Sequence, residues 1–274
     1  MTTSTVRVSP DWLRLREAAD AAARASELVE PVRRRLPADG RAVIHDLGCG
    51  TGSMGRWLAP QLKGRQHWVM YDQDAELLAH AATDLPGVAA DGADVTIETR
   101  QRDITRLDSG EVADASLITA SALLDIMSAD ELDRFVTTCA GAGCPVLVTM
   151  SVIGRVEFTP ADPLDEHIAG AFNAHQRRTA GGRRLLGADA VGAAVDAFAQ
   201  LGADMLVRPS PWRLDAAEAA LTAEWFTGWV GAACEQRPEL AARAAPYARR
   251  RLAEASTGRL SVTVHHQDLL AMPR

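Results

Sequence analysis

The chain has 274 residues, 47% of them hydrophobic, and a formal net charge of −7. That length and apolar content suit one large domain with a sizeable buried core, or one domain carrying a helical elaboration. The negative charge disfavours nucleic acid as main partner, because such proteins present a basic face, and no apolar run approaches the roughly 20 residues that span a bilayer.

The local basic clusters, Arg33-Arg34-Arg35 and Arg249-Arg250-Arg251, stand among Ala, Leu and Glu at helical spacing and read as solvated helix faces. Charges at Arg7, Asp11, Arg14, Arg16, Glu17 and Asp20 interrupt the apolar stretch that a secretory signal needs, so a cytoplasmic location is expected. Cys49, Cys139, Cys144 and Cys234 form no Cys-x-x-Cys pair, which leaves neither a disulfide framework nor a structural zinc site to expect.

Trp12 to Leu36 reads as one or two helices, with Leu13, Ala18, Ala22, Leu28 and Val32 at three- and four-residue steps. Pro37-Ala-Asp-Gly40 reads as a turn. Strand and helix signals then alternate. Strands are expected at Ala42–Asp46, His67–Tyr71, Val95–Arg100, Ala115–Thr119 and Pro145–Ser151, with helices at Ser53–Leu62, Ala75–Thr83 and Ala129–Cys139. Residues 153–187 are polar and turn-rich. After them come a helix from Ala188 to Leu201, a sixth strand at Met205–Arg208, helices at Ala216–Cys234 and Glu239–Ala255, and a seventh strand at Arg259–His265. Such alternation implies an α/β fold: a doubly wound, mostly parallel seven-stranded sheet with right-handed crossovers. Residues 1–40 are expected to form an N-terminal helical cap on a domain of residues 41–274, with a helical insert after the fifth strand, at about 153–187, covering the active site.

The informative stretch is His45-Asp-Leu-Gly-Cys-Gly-Thr-Gly-Ser53. Gly48, Gly50 and Gly52 follow a strand directly and open a helix. Glycines at alternate positions let the backbone turn sharply and approach a ligand with no Cβ in the way, and a helix N-terminus favours an anionic group. A dinucleotide site would place its third glycine at Ser53, so a nicotinamide oxidoreductase fits poorly; the Gly-Lys-Ser/Thr of a phosphate loop is absent. Asp72 ends the second strand about twenty residues beyond the loop, where doubly wound sites place an acid on ribose hydroxyls; Asp74 is the alternative, or a helix N-cap.

With Asp-x-Gly-x-Gly-x-Gly met from Asp46 to Gly52, the sequence resembles the class I S-adenosylmethionine-dependent methyltransferases, well over about residues 11–151 and in outline beyond. The resemblance implies a Rossmann-like methyltransferase fold, S-adenosylmethionine as cofactor, and a cofactor site of Asp46, Gly48, Cys49, Gly50, Gly52, Asp72, Gln73, Asp103, Ile104 and Ser121. In it the acid heading the loop positions the cofactor's ammonium, Asp103 faces the adenine amino group, and Ile104 lies on the ring. Arg16 is a candidate for the cofactor carboxylate, with surface exposure as the alternative. Asp125, after the fourth strand, is the candidate catalytic base or the holder of a substrate amine; a helix cap there is the alternative. His175 is the second catalytic candidate, against a solvent-facing histidine. The pair Trp225 and Trp229, four apart, reads as core rather than pocket. His265 and His266 alternate across a strand and so are not expected to share a metal, and no metal is expected. The reading is a methyltransferase acting on a small-molecule acceptor, with no nucleic-acid or membrane partner and a homodimer left open. An RNA or protein acceptor, or a catalytically silent cofactor-binding protein, is the alternative.

Overall fold

A computed structural model describes residues 8–37 and 40–274; the expected turn at residues 37–40 falls partly outside the described residues. The chain opens with α1 (Pro10–Ala23), capped by the Ser9 hydroxyl on Trp12 N–H, and the short α2 (Val29–Arg33). Then follow β1 (Arg41–Leu47), α3 (Ser53–Leu58), β2 (Arg65–Asp72), α4 (Ala75–Asp84), β3 (Val95–Gln101), β4 (Leu117–Ser121) and α5 (Ala129–Gly141). The second half runs β5 (Val146–Thr159), α6 (Asp165–Gln176), the hairpin β6 (Thr179–Ala180) and β7 (Arg183–Arg184), α7 (Ala190–Gln200), β8 (Asp204–Pro209), β9 (Trp212–Leu214), α8 (Ala219–Gln236), α9 (Ala241–Ser256) and β10 (Ser261–Met272).

The main sheet follows the order β3-β2-β1-β4-β5-β10-β8, with β9 paired to β10 beside that path. β1 to β5 are parallel neighbours, whereas β10 runs antiparallel to β5, β8 and β9. The fold is thus the doubly wound, mostly parallel seven-strand path expected of a Rossmann-like methyltransferase, with β9 added. Sequence order reverses at β1 and β4, and open α/β sheets bind ligands beyond the carboxyl ends of strands at that switch point.

Three clusters fill the core. One lies between the sheet and α5 and α7, around Phe135, Ile118 and Phe198. A second joins α2 and α3 to the other face, around Ile44, Trp68 and Leu58. The third is aromatic and builds an arm: Phe158, Phe226, Trp229 and Tyr247 pack α8 and α9 onto the far ends of β5 and β10. Arg251, 1% exposed, pins that arm with two bonds of 2.9 and 2.8 Å to Asp165 and one of 2.8 Å to the Pro160 carbonyl.

Where an insert was expected to begin at residue 153, the strand instead continues to Thr159, paired with β10 back to Ser261. Between Val152 and Val156 β5 carries two more residues than β10 does between His266 and Val264, and the ladder shifts again at Asp268. Such bulges bend a strand and increase its twist, which here turns the arm over the carboxyl ends of β4 and β5. Gly181 and Gly182, both at positive φ, close the β6–β7 hairpin, as a two-residue turn of this kind requires. All four cysteines are free, and among the described residues no helix is long and apolar enough to cross a membrane.

Candidate cofactor and acceptor sites

The glycine loop leaves β1 with Gly48, Gly50 and Gly52 at φ of 71°, 55° and 87°, a region that glycine adopts without strain. A Cβ on Gly48 would stand 3.3 Å from both Leu123 methyls, and one on Gly50 would stand 3.0 Å from Leu13 Cδ1. Bare backbone is therefore demanded by space as well as by conformation. Cys49 N–H donates to the Tyr71 carbonyl at 2.8 Å, tying the loop to the end of β2.

Asp72 holds the loop from that strand end. Its Oδ2 accepts from Gly50 N–H and its Oδ1 from Asp74 N–H, each at 2.9 Å, leaving lone pairs on both oxygens. Asp74 is the N-cap of α4, accepting from Glu76 N–H at 2.9 Å. Gln73, between them, offers its carbonyl to Gln101 Nε2 at 3.0 Å. Asp103 caps a short turn through Thr105 N–H and Oγ1 and pairs with Arg106, while Ile104 packs into the core cluster beside Gly48.

Asp46 is 1% exposed. Its Oδ1 accepts from Thr119 Oγ1 at 2.8 Å, and its Oδ2 has no partner. Burial raises its pKa from 3.8 to about 7, against the pull of the Thr119 hydroxyl and of Arg24. Arg24 is the functional candidate that sequence reading missed. It follows α1, is 4% exposed, lies over the Trp57 ring at 5.4 Å, and donates to Ser53 Oγ at 3.1 Å and Ser121 Oγ at 3.3 Å. Its Nε has no partner. Burial lowers its pKa, opposed by Asp20, Asp268 and Asp46. The only signal in the sequence was one cation at the end of an alanine run, Ala21-Ala-Ala-Arg-Ala25.

Asp268, buried completely, fixes Arg24's segment from the antiparallel half. Its Oδ2 accepts from Ala25 N–H at 2.8 Å, and its Oδ1 accepts from Met150 N–H at 2.8 Å and Ser210 Oγ at 2.6 Å. The ladder irregularity at Asp268 thus serves to bring three segments together, with Met150 held at φ 57°. An unpartnered buried carboxylate oxygen and an unpartnered guanidinium Nε, beside a bare-backbone cradle, fit the ammonium and carboxylate ends of an amino-acid cofactor.

Arg16 sits elsewhere. Its guanidinium bonds Asp20 at 2.9 and 3.2 Å and lies 4.9 Å above the Trp212 ring, bordering a second space. This cavity, of about 130 Å³, begins at Ala122, immediately after β4, and extends under the arm. Trp12, Trp212, Trp225 and Phe172 line it, together with Asp125 and Gln176. Trp225, expected in the core, borders this cavity, whereas its stacked neighbour Trp229, ring centroids 5.5 Å apart, is in the core at 1% exposure.

Asp125 lies on a short 3₁₀ turn with its carboxylate toward the cavity; burial raises its pKa to about 6. Gln176 Nε2 donates to its Oδ2 at 3.4 Å. His175, one position earlier on α6, faces away: its Nε2 pairs with Glu235 at 3.1 Å, and Gln176 rather than His175 lines the cavity. The structure therefore does not bring Asp125 and His175 together. His265 and His266, expected on opposite faces, both border the cavity where the sheet bends. His266 packs against Trp212 with ring centroids 5.2 Å apart and planes tilted by 57°, and burial lowers its pKa to about 3, so its ring is neutral. Among the described residues no group of three side chains suited to a metal occurs.

The family model described as a methyltransferase domain matches residues 44–143, from β1 through α5. No curated protein matches the chain. Among solved structures, a cyclopropane synthase from Mycobacterium tuberculosis is similar at a TM-score of 0.51, with 14% identity over 96% of this chain and 94% of that one. An S-adenosylmethionine-dependent methyltransferase from Geobacter sulfurreducens, in complex with S-adenosyl-L-homocysteine, has a TM-score of 0.44 and 15% identity, covering 97% of this chain and 99% of that one. A geranyl diphosphate C-methyltransferase from Streptomyces coelicolor A3(2) has a TM-score of 0.46 and 12% identity, covering 99% and 88% respectively.

Proposed function

We propose that this chain, whose residues 44–143 match a methyltransferase domain, is a class I S-adenosylmethionine-dependent methyltransferase that methylates a small molecule bound in the aromatic cavity under the arm. When bound, S-adenosylmethionine supplies an electrophilic methyl group on a sulfonium. Asp46 would hold its ammonium and Arg24 its carboxylate, Gly48 to Gly52 would pass beneath it, Asp72 would accept from its ribose hydroxyls, and Ile104 would pack on its adenine. Ser121 and Ala122 lie where that cradle meets the acceptor cavity, so the acceptor reaches the methyl from the cavity side. Methyl transfer is an in-line displacement at an already activated carbon, and it asks the protein mainly to orient the acceptor and exclude water. Asp125 is the one carboxylate lining the cavity and is the candidate proton acceptor.

The observation that carries the small-molecule reading is the cavity itself. It is small and rich in aromatic side chains, and its walls come from α1, β5, α6, β9, α8 and β10. A net charge of −7 also opposes a phosphate backbone. The test is transfer of tritium from labelled S-adenosylmethionine into cell extract fractionated by size. Label in the small-molecule fraction is expected; label mainly in RNA or protein would overturn the acceptor class and leave the methyltransferase reading in place.

A further inference from the structure

The acceptor cavity is lined by one carboxylate, Asp125, and by a buried amide oxygen with no partner, Gln176 Oε1. Four cavity residues direct a donor to the protein itself: Arg16 to Asp20, Arg155 to Glu157, Asn173 Nδ2 to the Gly154 carbonyl at 2.7 Å, and Trp212 Nε1 to Asp20 Oδ1 at 2.9 Å. Gln176 Oε1 is buried with no partner, and the side-chain hydrogen bond to Asp125, from Gln176 Nε2, is 3.4 Å long, beyond the usual range for N–H···O. Polar groups left so cost free energy unless a ligand brings donors. A hydroxyl brings one, an amine two or three.

The walls point the same way. Trp225 and Phe172 add aromatic rings, whose negative quadrupole attracts a cationic nitrogen, while the Trp12 and Trp212 rings already carry the Arg16 guanidinium at 5.9 and 4.9 Å. No unbalanced positive charge competes, since Arg16 and Arg155 are ion-paired and His266 is neutral. An anionic acceptor would instead face Asp125 with no free cation to compensate.

We infer that the acceptor is a primary or secondary amine on an apolar, ring-sized body, its nitrogen held by Asp125 and Gln176 and its body against the tryptophans; this rests on the methyl-transfer reading above. The amine reacts in its neutral form. Its lone pair forms the N–C bond to the methyl carbon as the C–S bond breaks, and that bond's electron pair remains on sulfur. The new ammonium then gives an N–H proton to an Asp125 Oδ, from which it passes to water. Positive charge moves from sulfur to nitrogen in this step, toward the carboxylate and the aromatic faces, which is where stabilisation lowers the barrier. Burial has already raised the Asp125 pKa to about 6, making it a better proton acceptor than an exposed carboxylate.

The experiment gives the full chain methyl-tritiated S-adenosylmethionine with phenethylamine, tryptamine, tyramine or p-cresol, and locates the methyl by mass spectrometry. Tyramine carries an amine and a phenol in one molecule, so it reports the choice directly. Label is expected on nitrogen and none on p-cresol. Asp125→Asn should lower kcat/KM for the amine at least about 50-fold, the scale of a lost hydrogen bond to a charged group, with S-adenosylhomocysteine affinity within about twofold. Should that variant fold poorly, Gln176→Leu should raise the amine KM about tenfold, the loss of one neutral hydrogen bond. Label on oxygen or carbon, no label on any amine, or an Asp125→Asn enzyme as active as the parent overturns the amine assignment. Failure of the parent reading looks different: calorimetry would show no binding of S-adenosylhomocysteine at all.

Discussion

The two halves of the sheet do different work and are built by different rules. From β1 to β4 the strands are parallel, and the proposed cofactor cradle comes from short stretches at their carboxyl ends: residues 46–52, 72–73, 103–104 and 121. From β5 onward the strands that matter are antiparallel, bulged and long, and the acceptor cavity is assembled from α1, β5, α6, β9, α8 and β10. A cofactor shared by a family needs one invariant surface, which a local motif can encode. An acceptor particular to one enzyme needs a cavity, which only distant segments can enclose.

That contrast sets what the sequence could tell. The glycine loop was legible because its spacing is a backbone requirement, and Asp72 because strand length fixes its distance from the loop. The far half of β5 was not: Val156, Glu157 and Phe158 read as part of the insert, and what makes them strand is pairing with Val264, Thr263 and Val262 of β10, about a hundred residues away. The two histidines were placed on opposite faces by simple alternation, which the bulge opposite His265 defeats. Arg24 carries no motif; its place beside Ser53 and Ser121 depends on Asp268, which holds Ala25 against the sheet. The Gly181-Gly182 hairpin, by contrast, was readable from its two-residue turn and was passed over.

Six substitutions test whether the halves are separable. The largest effect is expected at Trp229, which contacts Phe158, Phe172, Trp225 and Phe226 in the arm. Trp229→Ala should cost about 3–5 kcal/mol of stability by denaturant unfolding, as buried aromatic truncations do. Where the folded fraction still binds S-adenosylhomocysteine normally, the arm is energetically distinct from the cradle; a proportional loss of affinity would make them one unit.

On the cradle side, Gly50→Val places a branched side chain at φ 55° with its Cβ 3.0 Å from Leu13. Cofactor affinity should fall at least about 100-fold in calorimetry, since a strained left-handed residue costs on the order of 1–3 kcal/mol before the clash is counted. Normal binding would remove the loop from the site. Next, Asp72→Ala should weaken cofactor binding by about 1.5–3 kcal/mol, the size of hydrogen bonds to a charged group. Asp74→Ala should act instead on stability, as a lost N-cap, by about 1 kcal/mol. The reverse pattern would move the ribose contact to Asp74.

Asp46 gives the cradle a pH signature. Its folded pKa of about 7 lies above the ordinary 3.8, so its protonation favours the folded chain, most fully below about pH 4, and that contribution is lost as pH rises through 7. Cofactor binding runs the other way, because an ammonium prefers the ionised carboxylate. At pH 6 such a group is only about one-tenth ionised, so affinity for S-adenosylhomocysteine should rise about tenfold from pH 6 to pH 8. Asp46→Asn should flatten that slope. A slope that survives the substitution, or one of opposite sign, would take the ammonium away from Asp46.

The smallest effect is the sharpest test of where the acceptor side ends. His175 and Asp125 were both candidates from sequence, and they lie near α6 and the turn that it packs against. The structure separates them by a single helical step: Gln176 turns into the cavity, while His175 turns out to Glu235, whose side chain is 74% exposed. With its carboxylate so exposed, the pair contributes about 0–1 kcal/mol, and less at high salt. His175→Ala should therefore leave stability within that range and kcat/KM for the acceptor within about twofold, the same scale of free energy. Were kcat to fall tenfold or more with cofactor affinity intact, α6 would have to rotate in the working enzyme so that His175 replaces Gln176 at the cavity. The wall of the acceptor site would then be a moving part, and the contrast between a fixed cradle and an equally fixed cavity would fail.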